Sequence, residues 1–453
     1  MPATAPLPPS SRGASAQRAI AIGAALLLLA LCPPILPWSP AVPSAARANA
    51  PDSLQRRAQA MTAVTYAPVP FTAIEGWAAD DHRAALDAFL KSCARIAGRR
   101  ARAAAPASAT GAETGAESSL AAACEAAAAL ARGPVDRAAA RRFFETHFEP
   151  QRVVHPAGVG MVTGYYEPVV EGSRKPGGRY TAPLLRRPAD LVNVVAETER
   201  GAKADKATHL RRLPDGRLVP YPTRREIESG ALDDQALEFL YLSDPVDVFF
   251  MQVQGSGRVV LDDGSTVRVT YDGKNGHPYT SVGRHLIDSG QFAAEQVSLQ
   301  SLERWLKADR QRGREAMWVN KSYVFFRELA GAEAAGPLGA MRIPLSEGRS
   351  LAVDTAHHAL GLPVWVASPT LTHATAREGE RRGFHRLMVA QDVGSAIRGP
   401  ERGDIYFGSG AAAGKLAGVT KHPANFIVLL PKSGAGGGID AARGRPAERT
   451  AGP

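Results

Sequence analysis

Long apolar runs are scarce in this chain. Ala19–Leu31, with four consecutive leucines from Leu26 to Leu29, stands out, and nothing after it is comparable. That run is short for a bilayer span, so a multi-span membrane protein is excluded. Cysteine is scarce too, with Cys32, Cys93 and Cys124 in 453 residues. No zinc-finger or helix-turn-helix spacing is present, and no internal repeat. His357 and His358 stand side by side, but no carboxylate or third histidine lies at ligand spacing, so neither a metal nor another cofactor is expected. Ser256 sits in Gly-Ser-Gly and not in Gly-x-Ser-x-Gly, which argues against a nucleophile elbow and for a tight turn.

Hydrophobic content of 45% and charged content of 22% are those of a globular protein. The length allows two to three domains. The formal net charge of +10 fits a nucleic acid, a membrane or an acidic polymer such as the cell wall. The arginines are dispersed and no nucleic-acid motif accompanies them, so nucleic acid is not the expected partner.

Arg12 and Arg18 precede the apolar run, and small residues follow it in Ser44–Ala50. This is the pattern of a secretory signal, with Ala46 and Ala48 placing cleavage after residue 48. Cys32 offers a competing lipoprotein signal, although Leu31 stands where a small residue is wanted. Removing or lipidating Cys32 leaves Cys93 and Cys124. Leu86, Phe89, Leu90, Cys93 and Ile96 share a helix face in a segment from Asp80 or Asp81 to about Ile96. Leu120, Cys124, Ala127 and Leu130 share one in a helix from about Ser118 to Arg132. Both cysteines therefore face inward, and a disulfide is expected over two buried thiols. Arg99–Gly115 reads as a loop between them. A third helix follows from about Asp136 to His147.

The pattern then changes to strands. Gly160–Val170 holds Thr163, Gly164, Tyr165 and Tyr166 among β-formers. The basic stretch from Pro183 to Val219 reads as a solvated loop. Thr223 and Glu226 have capping-box spacing at a short helix. Val246–Leu261 reads as a strand pair around its Gly-Ser-Gly turn, and Thr266–Tyr271 as a half-buried strand. Lys274 and Asn275 lie in a loop able to bind sugar or peptide, although Asn-Gly is also a plain turn signal. His285–Ser289 and Leu302–Arg312 read as helices, with Trp305 in the core, and Asn320–Phe326 as a strand. Thr375–Gly383 reads as a charged hairpin tip. Past Gly408 come a Gly/Ala turn, a last strand over Asn425–Leu430 and, from Lys432, a disordered tail.

Arg386–Gly408 carries the candidate chemistry. It reads as strand, glycine-rich turn and short strand, with Asp392 and Asp404 beside the turns and Asp354 at an earlier strand end. Asp is a common turn residue, so each can simply satisfy local N–H groups. Two nearby acids also fit glycosidic cleavage or an aspartic protease. The sequences around Asp392 and Asp404 lack the symmetry of a protease dyad.

These residues, with Thr163–Tyr166, Val253–Gly257 and Gly273–Gly276, resemble the membrane-bound lytic murein transglycosylase A family over roughly 163–430. The resemblance implies a mainly β fold: a double-psi β-barrel with an inserted second β-barrel-like domain, plus N-terminal helices. The expected division is a signal peptide at 1–48, helices and first barrel part at 49–163, the insert at 164–330, the second barrel part with the three aspartates at 331–431, and a disordered tail at 432–453. Asn320–Phe326 would return the chain to the first barrel. The implied activity is cleavage of the β-1,4 bond between N-acetylmuramic acid and N-acetylglucosamine with formation of a 1,6-anhydro ring. Asp404 would be the single acid/base, with Asp392, Asp354, Thr163, Tyr165, Gln254, Ser256, Lys274 and Asn275 supporting it or touching substrate. Glycan strands of peptidoglycan would be the partner of an exported, periplasmic, monomeric protein held near the outer membrane. A noncatalytic wall-binding barrel is the competing reading. The stretch between Gly399 and Asp404 is one residue longer than in a typical member, and Ser395 replaces a common glycine.

Overall fold

The computed structural model describes residues 64–103, 115–194, 209–374 and 383–432. The expected signal segment, Cys32, the hairpin tip at 375–382 and the tail beyond 432 lie outside the described residues, as does 195–208 of the basic stretch. Among the described residues no helix is long and apolar enough to cross a membrane.

The chain opens with strand β1 (Thr65–Pro68) and three helices, α1 (His82–Ala103), α2 (Gly115–Leu130) and α3 (Arg137–His147). Asp81 accepts the Ala84 N–H at the start of α1, and Asp136 accepts the Ala139 N–H at the start of α3. Helix α1 buries Leu86, Phe89, Cys93 and Ile96, as their spacing predicts, and α2 buries Leu120, Cys124 and Ala127. Cys93 and Cys124 are joined in a disulfide with their Cα atoms 5.2 Å apart. Helix α1 is longer than expected: Arg99–Ala103 is helical and not loop, because alanine and arginine sustain a helix without an apolar stripe.

Strands β2 (Phe148–Val154) and β3 (Gly160–Glu167) follow. Pro168 then ends the β3 ladder, and β4 (Val169–Ser173) starts a different sheet. That second sheet has six strands and contains β4, β5 (Ala182–Leu185), β9 (Glu238–Leu242), β10 (Ser256–Leu261), β11 (Thr266–Lys274) and β12 (Val324–Glu328). An isolated bridge from Arg186 to Phe326 joins its two ends. The basic stretch includes a three-stranded sheet of β6 (Leu191–Asn193), β7 (His209–Arg212) and β8 (Leu218–Val219), where a plain loop was expected. Helices α4 (Arg224–Glu228, with the expected capping box), α5 (Pro245–Gln254), α6 (Val282–Asp288), α7 (Leu299–Ala308) and α8 (Arg310–Trp318) accompany this sheet.

The chain returns through β13 (Ser350–Val353), β14 (Pro363–Ser368), β15 (Phe384–Asp392), β16 (Arg402–Ser409), helix α9 (Gly410–Val419) and β17 (Lys421–Pro431). These strands join β1, β2 and β3 in an eight-stranded sheet. Its pairings run β17–β14–β15–β13–β16–β3, and β3 pairs again with β17, so six strands form a closed cycle. The largest core fills this sheet and its junction with α1–α3, with Trp77 against Trp365 at 5.3 Å.

Four further expectations are corrected. Val246–Gln254 is helical: Asp244 caps it, Pro245 opens it, and Gly255, at φ +77°, ends it. The Gly-Ser-Gly is therefore a helix-to-strand junction and not a turn between strands. Residues after Gly408 form α9, since an alanine-rich run propagates a helix despite its glycines. Val324–Glu328 pairs with β11 in the six-stranded sheet, so it belongs to that sheet and does not return the chain to the eight-stranded one. Trp305 is half-buried beneath Arg312, and Leu306 is the buried anchor.

Candidate active site

Strand β16 lies between β13 and β3. Ala352 stands opposite Asp404 on one side and Thr163 on the other. Side chains alternate along a strand, so Thr163 and Tyr165 leave β3 on one face, and Asp404 and Tyr406 leave β16 on the same face. The rings of Tyr165 and Tyr406 meet at 5.3 Å. The opposite face carries α9. There a Cβ on Gly164 would come within 2.8 Å of the Ala417 Cα, so the glycine of this motif is required by helix packing.

The Thr163 hydroxyl donates to Asp404 Oδ1 at 2.6 Å and accepts from Arg402 Nη2 at 2.8 Å. Arginine is donor-only, so the hydroxyl hydrogen must point at the carboxylate. A proton held by Asp404 then belongs on Oδ2, which no protein hydrogen bond engages among the described residues. Burial pushes the Asp404 carboxyl up to about 6, and the nearby Asp392 charge adds to the rise. The Thr163 bond and the Arg402 guanidinium pull the other way.

Asp392 ends β15. Its Oδ2 accepts from the Tyr165 hydroxyl at 2.9 Å, and its Oδ1 accepts from the Ala340 and Val393 N–H groups, each at 2.9 Å. Burial raises this carboxyl to about 6 despite those bonds. Its neighbour Gln391 donates to the Ala88 carbonyl at 2.7 Å and to Ser92 at 2.8 Å, both on α1. Helix α1 thus anchors the strand end that carries Asp392.

Asp354 is buried, and it is not among the cleft-lining residues. It accepts from Gly399 N–H at 2.8 Å and from Ala356 N–H at 3.1 Å. His358 donates to the Pro400 carbonyl at 2.5 Å, and its burial holds the imidazole down to about 4. Glu401, also buried, accepts from Phe426 N–H at 2.6 Å. These groups hold the loop that delivers Arg402 and Asp404. His358 serves that loop, the His357 carbonyl accepts from the Tyr66 hydroxyl at 3.0 Å, and no metal-ligating cluster occurs among the described residues.

Asp392 and Asp404 open into a cleft of about 990 Å³ lined from both large sheets. Thr163, Tyr165, Gln254, Ser256, Lys274 and Asn275 all line it. Gln254 accepts the Tyr166 N–H at 3.0 Å, tying α5 to β3. Lys274 reaches from β11 to Ser395 Oγ at 3.4 Å. Asn275 is buried: it donates to the Pro222 and Lys321 carbonyls at 2.8 Å each and accepts from Tyr323 N–H at 2.9 Å, so its amide braces the wall.

A family profile described as the MltA specific insert domain matches residues 161–327, and a 3D domain profile matches 349–430. The crystal structure of membrane-bound lytic murein transglycosylase from Agrobacterium tumefaciens superposes with a TM-score of 0.69 at 36% identity, over 82% of this chain and 98% of that one. The chain belongs to the membrane-bound lytic murein transglycosylase A family. The Escherichia coli (strain K12) enzyme of that name is 34% identical over 278 residues, which is 60% of this chain and 66%, just under two thirds, of the relative. A crystal structure of E. coli MltA with bound chitohexaose superposes with a TM-score of 0.55 at 27% identity, over 81% of this chain and 91% of that one.

Within the family frame, the insert profile spans the crossing at Pro168 and the six-stranded sheet, and the 3D profile spans β13 to β17. Sequence reasoning missed Arg402, whose signal was present: it lies two positions before Asp404 on one strand and so shares its face. It also missed Arg342 and Arg398, which line the cleft from loops without periodicity.

Proposed function

We propose that this protein is a peptidoglycan lytic transglycosylase with Asp404 as its single acid/base. The observation that carries this reading is the Arg402–Thr163–Asp404 relay beside Asp392 at the cleft. It leaves a carboxyl that holds its proton near pH 6 and presents it from one free oxygen. That proton passes to the glycosidic oxygen, the bond to C1 of N-acetylmuramic acid breaks, and N-acetylglucosamine leaves with its 4-hydroxyl restored. Asp404, now ionised, takes the proton of the muramic 6-hydroxyl as that oxygen attacks C1. The ring closes as the 1,6-anhydro product, and Asp404 regains its proton. An internal hydroxyl has a high effective molarity, so neither water nor a second catalytic carboxylate is needed. This separates the scheme from two-carboxylate hydrolysis. Asp392 sustains the raised Asp404 carboxyl, Asp354 braces the loop, and Thr163, Tyr165, Gln254, Ser256 and Lys274 form the surface the glycan meets.

The names of the relatives and the chitohexaose complex support a β-1,4-linked amino-sugar chain as the ligand. The closed cycle of six strands, with parallel pairs β3–β16 and β13–β15, supports a double-psi barrel, and the six-stranded sheet supports a barrel-like insert. We keep the border at 330/331 and move the one expected at 163/164 to the crossing at Pro168. The disulfide and the membrane-bound relatives support an exported envelope enzyme.

The test is digestion of purified peptidoglycan by the protein and by Asp404→Asn, with products read by mass spectrometry. Anhydro-ended fragments from the wild type alone are expected. Reducing ends would mean attack by water. Binding to the sacculus without release of fragments would replace the enzyme with a wall-binding module.

A further inference from the structure

The cleft that holds Asp404 has basic walls. Arg187, Lys274, Arg327, Arg342, Arg398 and Arg402 line it, against Asp272, Asp392 and Asp404. Several of these cations are committed. Arg402 donates to Thr163. Arg327 pairs with Glu333 at 2.9 Å. Arg187 donates to the Asp272 and Leu191 carbonyls and to Asn193.

Arg342 and Arg398 are different. Arg342 is exposed, and among the described residues no hydrogen bond or ion pair engages its guanidinium; Glu333, the acid that feels its charge, is bonded to Arg327. Its backbone lies at φ +55°, a region that costs a non-glycine residue about 1 kcal/mol. The turn that imposes this conformation is closed by a bridge from Leu338 to Pro344 and by Gly339 N–H donating to Ile343. The same turn supplies the Ala340 N–H to Asp392. The segment that supports one acid of the site therefore also presents Arg342 to the cleft. Arg398 donates from Nη1 to its neighbour's carbonyl on Ile397 at 3.2 Å and forms a long ion pair with Asp354 at 3.8 Å, beyond hydrogen-bond distance, because the Asp354 oxygens already accept Gly399 and Ala356 N–H groups; no hydrogen bond among the described residues engages its Nη2.

A guanidinium with N–H groups left over in a concave site is suited to a carboxylate, which it can grip through two parallel hydrogen bonds. A β-1,4 amino-sugar chain is neutral except at the substituent on the muramic O3. That substituent is a lactyl carboxylate when bare, and otherwise a stem peptide bearing its own carboxylates. We propose that Arg342 and Arg398 are carboxylate-binding positions that take this acidic substituent, so that the cleft discriminates murein from neutral chitin-like chains. The inference rests on the murein reading above and names the part of the substrate that the cleft selects.

Binding is measured by calorimetry in the Asp404→Asn background, so the result does not depend on cleavage. The ligands are a peptide-bearing murein tetrasaccharide, the same fragment stripped to its lactyl groups, and chitohexaose. The parent should prefer the acidic fragments to chitohexaose by about tenfold or more. Arg342→Gln and Arg398→Gln should each shrink that ratio several-fold, and the double variant should remove it. Arg342 is exposed and unpaired among the described residues, so its variant should keep the parent's Tm, whereas Arg398→Gln loses the pair with buried Asp354 and its binding is read well below its own Tm. A shrunken ratio with the stripped fragment assigns the lactyl carboxylate; one confined to the peptide-bearing fragment assigns the stem peptide. A parent with no preference, or a double variant with an unchanged ratio, overturns the proposal. An intact preference in a protein that never cleaves murein would leave the subsite standing and remove only the enzymatic reading.

Discussion

Thr163 and Asp404 are 241 positions apart in the chain and share a 2.6 Å hydrogen bond across the parallel pair β3–β16. Its direction is dictated by Arg402, which fills the other side of the same hydroxyl. Proton placement on the candidate acid is therefore decided by two residues that never touch the proton.

Thr163→Val keeps the shape of the side chain and removes the relay. We expect kcat/KM on peptidoglycan to fall about a hundredfold, the lower end of the scale for losing one preorganised donor. Thr163→Ser should restore most of it. A valine variant with wild-type turnover would show that the hydroxyl has no part in orienting the acid.

The pH profile follows from the same geometry. A general acid must begin protonated, so activity should decline as pH rises through about 6, where burial holds Asp404. Arg402 favours the ionised form and so lowers this value. Arg402→Gln should therefore move the alkaline limb upward, and Asp392→Asn, which removes a like charge, should move it downward. Initial rates from pH 4 to 9 check both directions.

The carboxyl that activity needs should cost stability once it ionises. Its folded carboxyl titrates near 6 and an unfolded aspartate near ~3.9, so between those values the folded state binds more protons. Stability is full below about 4, falls as pH rises toward 6, and stays reduced above it. Asp404→Asn keeps the acceptor for Thr163 and removes the buried charge. It should stabilise the protein by about 1–3 kcal/mol at pH 7.5 and by much less at pH 4. Urea melts at the two pH values measure the difference.

Glu167 ends β3, one residue before the crossing into the second sheet, and is fully buried. It accepts from Arg268 Nε at 2.6 Å, from Arg258 at 3.2 Å and from Ser409 at 2.5 Å. Glu167→Ala strands two guanidinium groups and should cost about 3–5 kcal/mol. A Tm within a degree of wild type would show that water takes over its role.

The disulfide closes a loop with a sequence separation of 31. Cys93→Ser with Cys124→Ser should lower stability by about 3–4 kcal/mol on the chain-entropy account. Activity measured well below the lowered Tm should be close to wild type, because neither cysteine lines the cleft and the Gln391 bonds to Ala88 and Ser92 do not involve the disulfide.

What was legible in the sequence was local or carried by motif. Leu86, Phe89, Cys93 and Ile96 declared the buried face of α1, Thr223 and Glu226 declared a cap, and Asp392 and Asp404 stood beside glycine turns. The misread segments were those where two local rules competed. Val248, Phe249 and Phe250 are good strand formers by composition, yet Asp244, Pro245 and Gly255 bracket them as a helix. The glycines of α9 look like a turn until the helix packs against Gly164.

The sequence by itself determined the residue types, the helix faces, the cysteine pairing and the presence of acids at strand ends, because these depend on spacings within one element. Only the tertiary structure decided what surrounds each acid. A parallel pairing set Thr163 against Asp404, and a buried Gln391 tied the strand end of Asp392 to α1. Neither relation is encoded in any local window: each arises where distant strands share a register, and water excluded by that packing raises both carboxyls.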